Sequence, residues 1–447
     1  MVVLKEPNGI ELEITRGKII LRKVPSTLSG DVVIPKRVTN IPKGAFARCN
    51  NITSITLQDN VNAISSSAFD SCINLEKIIV SPDNKYFESD YKGVLFTKGR
   101  KVIVRVPPKF GTVYVAPDGV VNINGHAFQD CKDLTTLILP QTLTTIDRFA
   151  FENCENLKHI NIPEKVFMIG ASAFRGCSSL CSVTVAPNNK NYTSDDGTLF
   201  SKDKTKLLYV PFAAARERYF VPDGVIHIEK DAFYECTELT EVVLPLILRD
   251  IDMKVFSNCK KLTKKFLRDF HGVVYDKETM KIVQVWKQAL YIHVFEGVSE
   301  IPTKTFLNCS NLRKIGIPKS VTNIEGGAFL GCKALDTIYV MDRNENFYTN
   351  SDGVLFQKMK SGRALLLRVP ITLSGSYTVP EDVTHISTGA FEACKGLTEI
   401  ILSHNVLNID RFAFIDCPNL SRVVLKSKYC VVHKQVSHQC PNLVVEK

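Results

Sequence analysis

The sequence lacks any apolar run of about 18 residues, the length that a membrane-spanning helix needs. Residues 1–7 also lack the long apolar segment of a signal peptide. Neither sign of charge forms a long block: 56 Lys and Arg residues are scattered among 46 Asp and Glu residues, and the net charge is +10. Because nucleic-acid binding needs clustered basic residues, we expect that the chain binds no nucleic acid. Because no apolar run is long enough to span a bilayer, we also expect that it does not insert into a membrane.

Motifs of the common enzyme classes are absent as well. The sequence contains no His-Glu-x-x-His, no Gly-x-Ser-x-Gly and no Gly-x-x-x-x-Gly-Lys segment. The sequence therefore lacks the motifs that identify a zinc protease, an α/β-hydrolase or a phosphate-binding loop. We predict that the protein is not an enzyme and that it has no catalytic residues and no cofactor.

One short unit dominates the sequence: a Phe, usually preceded by Ala, with a Cys three residues later. Neighbouring Phe residues are 23 positions apart in six cases, and a fixed period of this size is typical of a solenoid. A Leu or Ile three residues after each Cys leads into an alternating apolar segment, which predicts a short parallel strand with one face inward. The Phe residues of the eleven copies are Phe46, Phe69, Phe128, Phe151, Phe174, Phe233, Phe256, Phe306, Phe329, Phe391 and Phe414.

Four longer intervals between the copies predict β-hairpin insertions near residues 81–115, 186–220, 264–295 and 341–378. Three of them share an Asn, a Tyr and an Asp near a Gly, whereas the insertion near 264–295 keeps this pattern only in part. The residues that we align are Asn84, Tyr86 and Asp90; Asn191, Tyr192 and Asp196; and Asn346, Tyr348 and Asp352.

The repeats predict three segments: an N-terminal hairpin or cap at 1–30, a solenoid with its insertions at 31–425, and a degenerate C-terminal cap at 426–447. Stacked coils bury one continuous apolar core that no single coil could form alone. The predicted fold class is an α/β or mainly-β repeat, namely a right-handed solenoid of about 11–12 coils with short parallel strands and β-hairpin insertions.

Eleven of the 14 Cys residues occupy the repeat position, which predicts buried, reduced core thiols. Disulfides between successive turns are the alternative, although parallel side-chain directions oppose them. We predict no metal site, and two other interpretations stay open. One is calcium at the Asp residues of the insertions. The other is zinc held by Cys430, His433, His438 and Cys440, whose residue types suit that metal.

The unit Leu-x-x-Ile-x-Leu-Pro-x-x-Val-x-x-Ile-x-x-x-Ala-Phe-x-x-Cys and the Asp-Gly-Val-Leu-Phe inserts resemble the BspA-like class of leucine-rich repeat proteins over roughly residues 30–425. Members of that class occur in bacteria and parasitic protists and are regarded as surface antigens or adhesins that bind host or matrix proteins. The resemblance implies a leucine-rich-repeat fold, a cell-surface location and a protein ligand. A cytoplasmic location is the alternative, because the sequence shows neither a signal peptide nor a membrane span.

We therefore predict a non-enzymatic protein-binding scaffold, with a cytoplasmic regulator or effector that docks intracellular proteins as the alternative. Strand residues that alternate with the inward set should project outward. These are Thr56, Ile138, Asn161, Thr184, Val243, Gly316, Tyr339 and Ile401. Exposed aromatic side chains would be the anchors of such a surface. The predicted binding residues are Thr56, Asn161, Thr184 and Tyr339 on the strands and Tyr86, Tyr192 and Tyr348 in the hairpins.

Overall fold

The structure, a computed structural model, describes residues 2–446 with the exception of residues 16, 71, 249, 439 and 442. It divides into two compact units, Met1–Val243 with Asp250–Lys264, and Leu244–Arg249 with Lys265–Lys447. The described residues form β-strands and three short 3-10 helices, and they contain no α-helix. Of the two predicted fold classes, the mainly-β class is therefore confirmed. The helices are Phe212–Ala214, Leu246–Leu248 and Met253–Phe256.

Short strands account for most of the regular structure in the first unit. Those that lie wholly or mainly in it are β1 (Val2–Lys5), β2 (Glu11–Thr15), β3 (Lys18–Lys23), β4 (Gly30–Val33), β5 (Asn40–Ile41), β6 (Ile52–Leu57), β7 (Ala63–Ile64), β8 (Lys77–Val80), β9 (Phe87–Ser89), β10 (Leu95–Thr97), β11 (Val102–Arg105), β12 (Val113–Val115), β13 (Asn122–Ile123), β14 (Thr136–Ile138), β15 (Thr145–Ile146), β16 (His159–Ile162), β17 (Met168–Ile169), β18 (Ser182–Val185), β19 (Tyr192–Asp195), β20 (Thr198–Ser201), β21 (Lys206–Tyr209), β22 (Arg218–Phe220), β23 (His227–Ile228) and β24 (Glu241–Pro245).

Two parallel ladders run through this unit, because a regular turn contributes one longer strand and one strand of two residues. The longer strands pair as β4–β6–β8 and β12–β14–β16–β18, and the two-residue strands pair as β5–β7 and β13–β15–β17. Three antiparallel hairpins join the two-residue ladder: β1–β2–β3, β9–β10–β11 and β19–β20–β21. The last strand of each hairpin pairs in parallel with the next two-residue strand, β3 with β5, β11 with β13 and β21 with β23.

The second unit repeats this arrangement. Its longer strands pair as β28–β30–β32 and β36–β38–β40–β42, and its hairpins are β25–β26–β27 and β33–β34–β35. The strands wholly or mainly in it are β25 (Lys264–Arg268), β26 (Val273–Asp276), β27 (Ile282–Val285), β28 (Tyr291–His293), β29 (Glu300–Ile301), β30 (Lys314–Ile317), β31 (Asn323–Ile324), β32 (Thr337–Val340), β33 (Phe347–Thr349), β34 (Leu355–Lys358), β35 (Ala364–Arg368), β36 (Ser374–Thr378), β37 (Val383–Ile386), β38 (Gly396–Leu402), β39 (Asn408–Ile409), β40 (Arg422–Leu425), β41 (Val431–Val432) and β42 (Val444–Glu446).

The repeated Phe and Cys side chains form a buried column in each unit. In the first unit the rings of Phe128 and Phe151 lie 5.2 Å apart, and the Cys154 thiol donates to the Phe128 carbonyl of the preceding turn at 3.2 Å. In the second unit the rings of Phe306 and Phe329 are 5.5 Å apart. All eleven Cys residues of the repeat are buried, which confirms their predicted inward packing.

The chain makes about 18 turns, more than the 11–12 coils predicted. Part of the difference comes from the hairpin insertions, because another segment replaces the Phe–Cys unit in the turn that an insertion adds. Val106, for example, takes the place of a repeat Phe: its amide donates to Ala127 at 2.7 Å, just as the Phe128 amide donates to Ala150 at 2.8 Å. Counting Phe–Cys units therefore misses these turns.

Candidate binding surface

The outward faces of β12, β14, β16 and β18 form a continuous ladder of side chains. Val115 lies directly opposite Ile138, and Asn161 lies opposite Thr184, because the parallel strands pair in register. Val115 and Ile138 are 60% and 54% exposed. Asn161 and Thr184 are exposed as well, and the Thr184 hydroxyl lies 3.3 Å from the Asn161 side-chain oxygen. Half of this ladder is therefore apolar and half is polar.

Thr56 occupies the corresponding level on β6. It is half-buried and lies between Val33 on β4 and Ile79 on β8, which are its register partners. Both neighbours are exposed apolar residues. The outward face near Thr56 is thus mostly apolar, with one hydroxyl in its centre.

Tyr339 faces outward on β32, but its ring lies back across the strands of its own sheet. The intervening Gly316 has no side chain, so the Tyr339 hydroxyl reaches His293 Nδ1 at 3.0 Å. The two rings are stacked with centroids 6.0 Å apart, and Tyr339 is 40% exposed. A Cβ atom on Gly316 would lie 2.5 Å from the Tyr339 hydroxyl, so this arrangement depends on glycine.

Four residues predicted to project outward do not do so fully. Val243 and Gly316 are buried, and Thr56 and Ile401 are half-buried. For Gly316 the cover is the Tyr339 side chain. Alternation along a strand therefore identifies which face a residue is on, but a neighbouring large side chain decides whether that residue reaches solvent.

A buried asparagine anchors each of three hairpins. At the β19–β20–β21 hairpin, the Asn189 amide group donates to the carbonyls of Pro163 and Val166, both at 2.9 Å. Its side-chain oxygen accepts from the amides of Asn191 at 2.9 Å and Tyr192 at 2.8 Å. Asn84 and Asn344 make the same four contacts in the other two hairpins.

This anchor corrects the alignment of the insertions. The equivalent residues are Asn84, Asn189 and Asn344, whereas the sequence alignment paired Asn84 with Asn191 and Asn346. As a result, the three hairpin tyrosines stand two, three and four residues after their anchors and have different surroundings.

Only one of these tyrosines extends well into solvent. Tyr86 is 53% exposed. Tyr192 is half-buried, and its hydroxyl accepts from the Ile169 amide at 2.9 Å. Tyr348 donates to Asp382 at 3.1 Å and stacks on Phe356, so both of these tyrosines are held by their own chain.

Other aromatic side chains are more exposed than the predicted anchors. Tyr91 at a hairpin turn is 93% exposed, Tyr429 is 84%, Phe270 is 82% and Trp286 is 58%. None belongs to the repeated positions, which is why a repeat-based alignment did not find them. The available signal was an aromatic residue within a polar or glycine-containing turn.

Burial raises the pKa of the repeat thiols of Cys72 and Cys131 to about 12. Cys440 differs because its hydrogen bond with Cys417 lowers its pKa to about 7. Among the residues described, no group of three His, Cys, Asp or Glu side chains is placed to hold a metal ion. The described side chains of Cys430, His433, His438 and Cys440 are therefore not grouped as zinc ligands.

Inward-facing parallel strands, stacked turns and a buried Phe–Cys column define a leucine-rich-repeat protein. The family model described as the BspA type leucine-rich repeat region matches residues 27–91, 112–214, 214–271, 288–357 and 373–444, with six copies. These segments cover more than half of the chain, which therefore belongs to the BspA-type leucine-rich repeat family. Proteins of this family are typically non-enzymatic, and the fold is a repeat scaffold suited to protein interaction.

Several solved structures are similar to this chain. A leucine-rich cell surface protein from Faecalibacterium prausnitzii is 23% identical, with 76% of this chain and 95% of that chain covered and a TM-score of 0.38. The pneumococcal vaccine antigen PcpA is 17% identical, with coverage of 100% and 99% and a TM-score of 0.37. No protein with curated annotation matches the sequence. No helix in the described part of the chain has the length and apolar character to cross a bilayer.

Proposed function

We propose that this protein is a cell-surface scaffold that binds a host or matrix protein through the outward faces of its strands. The observation that carries the proposal is the ladder of Val115, Ile138, Asn161 and Thr184 on parallel strands that pair in register. Exposed apolar side chains that are grouped together are typical of protein-binding sites, and polar neighbours add specificity. Family membership supports the same function.

The other proposed contacts have unequal support from their surroundings. Thr56 lies between two exposed apolar side chains, and Tyr86 extends into solvent, so both are accessible to a partner. Tyr192, Tyr339 and Tyr348 make hydrogen bonds within the chain. These three would contribute ring surface without a free hydroxyl.

The test is binding of purified protein to immobilised fibronectin, laminin and collagen and to fixed host cells. We expect the Val115→Lys/Ile138→Lys variant to bind at least about tenfold more weakly, because it places two charges in the apolar half of the ladder. Ile73→Lys/Ile226→Lys is the matched control, since these side chains of the same unit are 42% and 57% exposed and lie outside the ladder. Equal loss in both variants, or no binding by the unmodified protein, would contradict the proposal.

A second candidate function is a cytoplasmic scaffold that docks intracellular proteins. The observation that favours it is the large number of unpaired thiols, including the exposed Cys181, since a reducing compartment keeps such thiols unpaired. Protease treatment of intact cells distinguishes the two candidates. A surface protein is expected to be degraded under conditions in which a cytoplasmic marker survives.

A further inference from the structure

Three of the insertions end in the same closed junction. The last hairpin strand pairs in parallel with the next two-residue strand, as β11 does with β13, β21 with β23 and β35 with β37. A valine amide at the end of the hairpin then donates to the residue before the next repeat Phe. These bonds are Val106 to Ala127 at 2.7 Å, Val210 to Ala232 at 2.9 Å and Val369 to Ala390 at 2.7 Å.

The junction after β27 is open instead. Strand β27 pairs with β26 on one side and β29 pairs with β31, but within the described residues β27 and β29 are not paired with each other. Val285 and Thr305, the counterparts of the valine and the alanine, share no hydrogen bond there. A cavity of about 440 Å³ lies between the two sides, lined by residues 282–285 and 287 and by residues 302–305, 307 and 309. We call this cavity the strand slot.

Two sequence differences distinguish the open junction from the closed junctions after β11 and β35. Pro302 stands where the closed junctions use an amide that donates to the hairpin strand, and proline has no amide hydrogen. Those donors are Asn124 at 3.0 Å, Glu229 at 2.8 Å and Ser387 at 2.9 Å. Gln284 stands where two closed junctions have a buried arginine that donates to the next turn. The arginines are Arg105, which binds the His126 carbonyl at 2.5 Å, and Arg368, which binds the Gly389 carbonyl at 2.7 Å.

The N-terminal hairpin has the proline as well, and the exposed Lys23 stands at the position of the arginine. Pro42 occupies the position of Pro302, and β3 shares one register pair with β5, where β11 shares two with β13. The Val24 amide still closes that junction by donating to Ala45 at 2.8 Å. The same two differences therefore weaken the junction after β3, and the junction after β27, which also lacks the valine hydrogen bond, is the open one.

The free side of β27 has the hydrogen-bonding groups of a sheet edge. The Trp286 amide donates across to Gly272 at 3.1 Å, so alternation along the strand turns the Val285 amide towards the slot. Unpaired main-chain groups at such an edge bind extended peptides by strand addition. Ile282, Val283 and Leu307 add apolar surface to the walls.

The charge of the slot indicates which extended segment it fits. Lys287 and Lys304 line the slot, and its lining contains no Asp or Glu. We propose that the strand slot binds an extended segment of another protein in which acidic and apolar residues alternate, and that this segment adds a strand to β27. The slot shares no residue with the Val115–Thr184 ladder, so it can be tested independently of the proposed function.

The probe is a capped octapeptide of alternating Glu and Val, titrated into the full-length protein. Trp286 is the single tryptophan of the chain and directly follows β27, so its fluorescence reports on the slot. We expect a saturable fluorescence change. The Lys287→Glu/Lys304→Glu variant should bind the peptide with about tenfold lower affinity at low salt. Lys426→Glu/Lys428→Glu is the control of equal charge change, because both lysines are exposed and neither lines the slot.

Two further measurements separate strand addition from simple charge attraction. An octapeptide N-methylated at alternate residues keeps its charge but loses edge hydrogen bonds, and it should bind at least about tenfold more weakly. The Gln284→Arg/Pro302→Asn variant restores both groups found in closed junctions and should close the slot, abolishing binding while the protein stays folded. Binding that survives either change, no saturable binding, or a Val285 amide already protected from hydrogen exchange in the free protein would overturn the proposal.

Discussion

Replacing Asn189, the buried anchor of the β19–β20–β21 hairpin, is expected to release that hairpin from the solenoid. Asn189 is 1% exposed and makes four hydrogen bonds of 2.8 to 2.9 Å. Two of them reach back to Pro163 and Val166 in the preceding turn, and two hold the start of β19. Asn189→Ala removes all four and leaves the buried carbonyls of Pro163 and Val166 without this donor.

The magnitude follows from these bonds. Each intramolecular hydrogen bond contributes a net of about 0.5–1.5 kcal/mol, so four contribute about 2–6 kcal/mol. Hydration of the freed groups once the hairpin opens limits the loss, and we expect about 3 kcal/mol. That value corresponds to a roughly 150-fold loss of hydrogen-exchange protection in the hairpin, because each tenfold change equals about 1.4 kcal/mol.

Hydrogen exchange is the suitable assay, because a repeat protein opens locally and its global unfolding need not be two-state. The amides of β19 and β20 should lose protection in Asn189→Ala, while those of β14 and β16 should not. The control is Asn191→Ala: Asn191 is exposed and its side chain makes no hydrogen bond among the described residues, so a change within about 0.5 kcal/mol is expected. Equal protection in the two variants would refute the anchoring role.

Asn189→Asp extends the same test to pH. The new carboxylate could still accept from the amides of Asn191 and Tyr192, but it would face the carbonyl oxygens of Pro163 and Val166, to which the amide group donated. Those oxygens favour the protonated acid, so the pKa in the folded state should lie above its unfolded value. Relative to the unmodified protein, this variant should regain stability as the pH falls through the folded-state pKa and lose it as the pH rises.

Arg368→Met should cost about 3–5 kcal/mol in equilibrium unfolding, because it leaves the Glu392 carboxylate buried without the cation that lies 3.1 Å away; Arg368→Met/Glu392→Gln should recover part of the loss. Arg48→Gly should raise the unfolding free energy by about 0.5–1 kcal/mol, because Arg48 is exposed and has a left-handed φ of 63°. Brief alkylation of the native protein should label the exposed Cys181 first, together with Cys440. The labelling rate of Cys440 should level off above about pH 7, and mass spectrometry that shows the buried Cys residues of the repeat labelled equally fast would contradict this.

The repeat spacing predicts the core well because the core repeats. A Phe at a 23-residue period can bury its ring only by stacking on the preceding Phe, and the 5.2 Å separation of Phe128 and Phe151 shows that stacking. The predicted number of turns was too low because a segment can occupy the place of a repeat unit without having the repeat Phe. Val106 donates the same backbone hydrogen bond as a repeat Phe without resembling one in sequence.

The hairpin residues show where the sequence alignment fails. Asn189 and Asn191 are both plausible partners for Asn84 by residue type, and only burial distinguishes them: one makes four hydrogen bonds and the other is exposed. A two-residue error in the anchor displaces every assignment that follows it. Tyr192 and Tyr348 were therefore grouped with the exposed Tyr86, although both donate or accept hydrogen bonds within the chain.

Specific function in such an array must come from positions where one turn differs from the others. A repeated residue is repeated because every turn needs it for packing, so it cannot mark one location for a partner. Gly316 illustrates a departure that the chain uses itself, since the space it leaves is filled by Tyr339 and His293. Pro302 and Gln284 illustrate the other kind, because the hydrogen bonds they remove are not replaced within the described residues. An unreplaced hydrogen bond at a sheet edge leaves a polar group for another molecule to satisfy, and for that reason we place the search for a partner segment at β27.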